Sequence, residues 1–311
     1  MTVFSVANAA TINLTKCVAS MNKTMSDGAS VNFWVFGSGG MSCSGGTLPA
    51  AAIEVGVGDT LNLTLSVMMA PMEPTPYNGH TIHLHGADVS TSEDGVPDTG
   101  ASVMGDTYTW TPTAAMAGSY MYHCHVHTVK HLEMGMYGPI IIRPKDASGN
   151  FLNQITSNTA TAFDYVQNYV FSTVDPAYHT ATGDSTVFAD YNPKYFLISG
   201  NEGKTTSAPA VTLAAAVNKK VALRLIGIHS VNSTFQIKDS SGAAKSFTVY
   251  VQDGRAWPTA QSMTSLDISP GQRFDVIFTT PSTSGTWYPQ ITYKKLRDNA
   301  AYATAYGKVT F

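Results

Sequence analysis

Leu61-Asn62-Leu63-Thr64-Leu65-Ser66 sets an apolar side chain at every second position, with a small polar one between. Side chains of an extended chain alternate between two faces, so the segment reads as a strand with one buried face. The same period recurs in Val221-Ala222-Leu223-Arg224-Leu225 and in Phe247-Thr248-Val249-Tyr250-Val251. Turn residues interrupt such runs throughout, the chain holding 26 Gly and 15 Pro. No long stretch carries the apolar spacing of an amphipathic helix. These patterns predict an all-β chain of antiparallel sandwiches built from many short strands.

With 311 residues, 43% hydrophobic and 13% charged, the chain is of a size for roughly two globular domains. A boundary is expected after Gly138-Pro139-Ile140-Ile141-Ile142-Arg143-Pro144, a strand closed by proline. This gives a first domain over residues 1–146, a polar connector over 147–162 and a second domain over 163–311. Lys and Arg number 18 against 21 Asp and Glu, a net charge of -3 without a basic run, which argues against a nucleic-acid partner. No stretch reaches the roughly 18 apolar residues of a membrane-spanning helix. No signal peptide is visible before the strand-like Ala10-Thr11-Ile12-Asn13-Leu14, so an exported protein is expected to have lost its leader.

Of the three cysteines, Cys17 and Cys43 lie in Gly/Ser-rich surroundings and Cys124 lies between two histidines. That arithmetic suggests one disulfide and one special thiolate; two reduced, buried thiols are the alternative. Seven of the nine histidines fall between His80 and His131, leaving His179 and His229 for the second half. In His80-Thr81-Ile82-His83-Leu84-His85-Gly86, a strand would point His83 and His85 to one face; in Tyr122-His123-Cys124-His125-Val126, His123 and His125 share a face and Cys124 takes the other. One strand can thus serve two metal sites. A soft thiolate, two imidazoles and a weak thioether make the donor set of a type 1 copper centre. Cys124, His80, His131 and Met136 fit it, whereas His127 in place of His131 would put Leu132 where the thioether belongs.

His80-x-x-His83-x-His85-Gly86, with His123-Cys124-His125 and the downstream His131 and Met136, resembles the copper domain of a multicopper oxidase. The resemblance runs over residues 35–143 and takes in Asp94-Gly95-Val96-Pro97, similar to the family's acidic turn. It continues more weakly in Tyr195-Phe196-Leu197-Ile198-Ser199-Gly200 and Leu266-Asp267-Ile268-Ser269-Pro270-Gly271-Gln272-Arg273-Phe274-Asp275. It implies two tandem cupredoxin-like Greek-key sandwiches, the second largely without copper ligands. It also implies that His83, His85, His123 and His125 belong to a second copper site. The family's complete oxygen-reducing cluster and its type 1 site together use ten histidines, one more than the nine present. A two-domain relative, copper nitrite reductase, needs only three for its second site, at a trimer interface. By that likeness His85 and His123 are ligands, His83 stands at the acidic catalytic position, and His125 could substitute for a third ligand that has no match. His229, in Ile228-His229-Ser230, resembles the active-site histidine contributed by a neighbour.

The resemblance therefore implies a copper oxidoreductase of the periplasm or cell exterior, assembled as a homotrimer. Electrons from a small molecule or redox protein would pass through Cys124 to a second copper that reduces oxygen or nitrite. The rival is a non-catalytic type 1 carrier, or a copper-binding and resistance protein. Asp94 is expected to relay protons or to serve the turn, and His229 either to act as interface ligand or proton donor or to be a satisfied polar residue at a strand end. Met68, Met69 and Met72 read either as thioether sites for Cu(I) or as packing. His127 and Lys130 read as loop surface, and His179 as a solvated loop residue.

Overall fold

In the computed structural model of the protein, residues 9–40, 42–68, 70–180 and 191–311 are described. They divide into two units. The first takes in the described residues up to Met21, Trp34–Ala162 and Gly254–Ala256; the second takes in Asn22–Phe33, Phe163–Asp253 and Trp257–Phe311. Residues 147–162 lie with the first unit, where Ile155 is fully buried.

The strand Thr60–Ser66 buries Leu61, Leu63 and Leu65 and leaves the residues between them half-exposed, as its alternation requires. Its sheet runs in the order Ser30–Ser38, Thr11–Thr24, Thr60–Ser66, Asp106–Trp110. A second four-stranded sheet runs Ile53–Gly56, Tyr137–Arg143, Gly118–His123, His83–His85. Leu61, Leu63, Tyr108 and Trp110 of the first sheet meet Leu84, Tyr120, Tyr122, Ile140 and Ile142 of the second in one core, which also takes in Cys124 and Met136. At about 25 cal/mol per Å2 of apolar surface removed from water, such inward rows are what hold a sandwich together.

The second unit pairs two seven-stranded sheets, one centred on Tyr165–Val174, Lys220–Gly227 and Arg273–Thr279, the other on Asn232–Asp239 and Thr286–Lys294. Leu223, Leu225, Phe235, Ile237, Val249, Val276 and Ile291 share its core. Lys220–Gly227 is buried on both faces beyond its first residue, although Arg224 interrupts its apolar run. It lies between two neighbouring strands, and Arg224 pairs with Asp275 directly across at 3.1 Å.

The sheets are not purely antiparallel. Each of the four holds a parallel pair: Thr11–Thr24 with Thr60–Ser66, Ile53–Gly56 with Tyr137–Arg143, Tyr165–Val174 with Lys220–Gly227, and Thr212–Ala214 with Lys308–Thr310. Crossover connections bring sequence-distant strands side by side, a feature that alternation within a strand does not encode. Cys17 and Cys43 form a disulfide and Cys124 is free. The described α-helices are the short Thr128–Glu133 and Pro176–Thr180, and no described helix is long and apolar enough to cross a membrane.

Candidate metal centre

His83–His85 pairs antiparallel with Gly118–His123 in the register His83↔His123, Leu84↔Tyr122, His85↔Met121. Leu84 and Tyr122 fill the core, so the pleat sends His83, His85 and His123 to the opposite face. Cys124, next beyond His123, falls on the core side with Tyr120 and Tyr122. The chain then turns through Thr128–Glu133, and Gly135 takes a φ of 106°, a left-handed turn that favours glycine. This returns Met136, whose carbonyl accepts from Cys124 N–H at 3.1 Å and whose N–H donates to the His131 carbonyl at 3.0 Å.

Two donor sets result. In the first, ligand atoms of His80, Cys124 and His131 lie within 4.8 Å of one another, and all three residues are 0% exposed. Cys124 Sγ is 3.1 Å from His131 Nδ1 and 3.8 Å from His80 Nδ1. Each outer nitrogen meets an oxygen: His80 Nε2 donates to the Pro71 carbonyl at 2.7 Å, and His131 Nε2 faces Glu73 Oε2 at 3.3 Å without the alignment of a full hydrogen bond. Both Nδ1 lone pairs are thereby directed toward the sulfur. Burial holds His80 down at about 4, keeping it neutral, and pushes the Cys124 thiol up to about 12. A cation at this point would reverse the thiol's preference, since a coordinated thiol gives up its proton. Two neutral imidazoles and a buried sulfur, with Met136 fully buried beside the Cys124 and His131 backbones, fit a soft transition metal. Trp34 stands edge-on to both rings, with centroids 5.9 Å from His80 and 5.4 Å from His131.

In the second set, ligand nitrogens of His83, His85 and His123 lie within 4.8 Å of one another. His85 Nδ1 and His123 Nε2 are 3.1 Å apart, a separation at which a shared proton or cation relieves lone-pair repulsion. His125 stands beside the trio, its ring 5.1 Å from that of His83 and 6.0 Å from that of His123, but its nitrogens are outside the converging group. Burial, then the neighbouring imidazoles, push His123 well below the ordinary histidine range. Asp94 meets His83 Nδ1 twice, through its carbonyl at 2.7 Å and Oδ1 at 3.1 Å. Gly95 makes that approach possible: a Cβ there would sit 1.8 Å from the Ile82 carbonyl oxygen. Asp94 thus serves both the turn and His83.

Several expectations change. His127 and Lys130 are not loop surface: Lys130 is 3% exposed, and His127 donates from Nδ1 to Glu73 Oε2 at 2.6 Å while stacking on Tyr77. A buried carboxylate needs such donors, and the short helix supplies them. His179 is not simply solvated; it donates to the Asn32 carbonyl at 2.5 Å and meets Phe33 edge-on. Of the two readings of His229, the geometry fits the packed polar residue and not the interface ligand: it is 2% exposed, 3.0 Å from Ser233 Oγ and flanked by Phe171 and Tyr293, so its ring is enclosed in the second unit. Met68 and Met72 are 55% and 38% exposed, so core packing does not absorb them; Met69 lies outside the described residues. Glu73 and Trp34 were not foreseen. A lone acid in Pro71-Met72-Glu73-Pro74 carries no periodic signal, and Trp34 reads as an ordinary strand aromatic.

A family profile described as multicopper oxidase matches residues 38–147, and a second, also described as multicopper oxidase, matches residues 156–308. A copper-containing nitrite reductase of Neisseria meningitidis is 32% identical over 124 residues, 40% of this chain and 28% of that protein. Laccase-3 of Botryotinia fuckeliana is 29% identical over 248 residues, 77% of this chain and 50% of that protein. The chain therefore spans no more than half the length of these relatives. The crystal structure of a blue copper oxidase from Nitrosomonas europaea superposes with a TM-score of 0.71 at 20% identity, over 96% of this chain and 86% of that one, and shares its fold.

Proposed function

The chain belongs to the multicopper oxidase family, and from that premise we propose that it is a two-site copper oxidoreductase. His80, Cys124 and His131, with Met136 as the weak fourth donor, would hold one copper, and His83, His85 and His123 a second. The terminal acceptor is nitrite or dioxygen. Bound copper supplies one-electron Cu(II)/Cu(I) chemistry at both sets. One observation carries the reading. Cys124 turns its sulfur into the first set while His123, its immediate neighbour, turns its ring into the second. The two donor sets are thus joined by two adjacent side chains and the single peptide link between them.

The remaining work falls to the chain's own groups. Full burial of His80, Cys124 and His131 keeps water from the sulfur. His83, His85 and His125 are only half-buried, which leaves that side of the second set open to an acceptor or, in a homotrimer, to a neighbouring copy. Reducing nitrite to nitric oxide and water consumes protons with the electron, and partly exposed Asp94 is placed to deliver them past His83. Between the two acceptors, a three-nitrogen set favours nitrite, because full reduction of dioxygen needs more electrons than one such set stores. His229, enclosed in its own unit, takes no part in the proposal. The Cys17–Cys43 disulfide supports a periplasmic or extracellular setting, and the electron donor is a small molecule or a redox protein.

The test is copper content per chain with electron paramagnetic resonance. About two coppers, one with the signal of a thiolate ligand and one without, are expected, together with reoxidation of the reduced protein by nitrite. A single copper with only the thiolate signal would replace this reading with that of an electron carrier.

A further inference from the structure

The two imidazoles of the first donor set are secured differently. His80 Nε2 is capped by the neutral carbonyl of Pro71, whereas His131 Nε2 faces a carboxylate, Glu73 Oε2, at 3.3 Å. That same oxygen accepts from His127 Nδ1 at 2.6 Å. The Glu73 side chain is 5% exposed and is held between two imidazoles in the interior. His127 is itself fixed: it takes a φ of 44° at the start of the helix Thr128–Glu133, and its ring lies against that of Tyr77 at a centroid distance of 4.2 Å. A buried carboxylate costs several kcal/mol in lost hydration unless its partners are excellent, so packing alone does not account for it. An apolar residue would fill the space without that penalty.

Resting on the reading that His80, Cys124 and His131 hold copper, the geometry points to Glu73, braced by His127, as a positioning residue for that site. The carboxylate fixes the His131 ring with Nδ1 toward Cys124 Sγ, and it sets a negative charge against the far side of the ring. A carboxylate set against the outer nitrogen, here at 3.3 Å, makes an imidazole a stronger donor through its charge. The charge favours the more positive oxidation state, so Glu73 stabilises Cu(II) over Cu(I) and lowers the reduction potential. Lys130 is the cation acting on Glu73 from the same short helix, and it is common to every variant below.

Metal-free wild type, Glu73→Gln and His127→Phe are titrated with Cu(II) and, separately, with Cu(I). Dissociation constants are read by competition, the site by thiolate-to-Cu(II) absorption and paramagnetic resonance, the potential by redox titration, and the fold by circular dichroism. Glu73→Gln keeps the shape and removes the charge. It is expected to weaken Cu(II) binding about 10- to 100-fold, to weaken Cu(I) binding less, and so to raise the potential and shift the absorption band. His127→Phe keeps a ring against Tyr77 but loses the donor to Glu73, and should move each quantity in the same direction by less. A folded Glu73→Gln protein with the wild-type Cu(II)/Cu(I) affinity ratio, potential and spectrum overturns the positioning role and leaves the copper reading standing. Absence of the thiolate band from wild type overturns both. If Glu73→Gln does not fold, His127→Phe decides by the same measurements.

Discussion

The two units share a sandwich plan and differ in what they do with buried polar groups. In the second, buried polar groups are met one by one by near neighbours: Arg224 pairs with Asp275 at 3.1 Å, and His229 Nε2 lies 3.0 Å from Ser233 Oγ, which donates onward to the Ile268 carbonyl. In the first, lone pairs of two imidazoles and a thiol converge within 4.8 Å, and three more imidazoles converge on the other side of the same strand end. The second unit shows that, among the described residues, the sandwich plan needs no convergent donor set. Convergence of donors in the first serves no need of the fold; it is an arrangement that lowers its free energy only when something positive is shared.

The contrast can be broken at several points. The largest effect is expected from Cys124→Ser, which should abolish the thiolate-to-Cu(II) absorption and all turnover while circular dichroism keeps the strand signal. Retained blue absorption in that variant would sink the assignment of the first set. Next comes Asp275→Ala in the second unit. Removing the carboxylate that faces buried Arg224 should cost about 3 kcal/mol of unfolding free energy in denaturant titrations and leave the copper spectrum unchanged. A spectral change there would mean that the units are not energetically separate. Asp94→Asn keeps the turn and removes the acid, and is expected to slow nitrite or oxygen reduction about 100-fold with the blue signal intact. Steady-state rates at saturating reductant would check it, and an unchanged rate would return Asp94 to a turn role.

The smallest effect concerns His229. Burial holds it at about 4, below its ordinary 6.5, so the unfolded chain takes up the proton first as pH falls. The stability this contributes is present above pH 6.5 and is lost on acidification toward pH 4. Relative to a His229→Gln chain, wild type should lose about 2 kcal/mol between pH 7 and pH 5, read as the difference in denaturation midpoints. Parallel pH profiles would show that the ring stays reachable by water.

The outline of the donor clusters is legible in the sequence. His83, His85, His123 and Cys124 follow from strand parity: alternate residues share a face, so two histidines flanking a cysteine must oppose it. His80, His131 and Met136 followed from donor chemistry and spacing, and the structure brings the first two to Cys124 and sets the Met136 backbone against both Cys124 and His131. What parity could not say was how far each ring reaches. His125 has the same parity as His123, yet it sits past the strand end and its nitrogens do not converge with the others. His229 matched a motif, but a motif carries no measure of enclosure by Phe171 and Tyr293.

By itself the sequence determined the all-β class, the concentration of donor atoms in the first half and the two faces on which they lie, because these depend on local alternation and on the chemistry of side chains. Only the tertiary structure decided that each sheet contains a parallel pair, that three of the four clustered histidines converge, and that Glu73 and His127 close over His131. Those features depend on where crossovers bring distant segments together. Glu73 lies 58 positions from His131, and only the folded sandwich places a carboxylate from a proline-rich loop against an imidazole that ends a turn of helix.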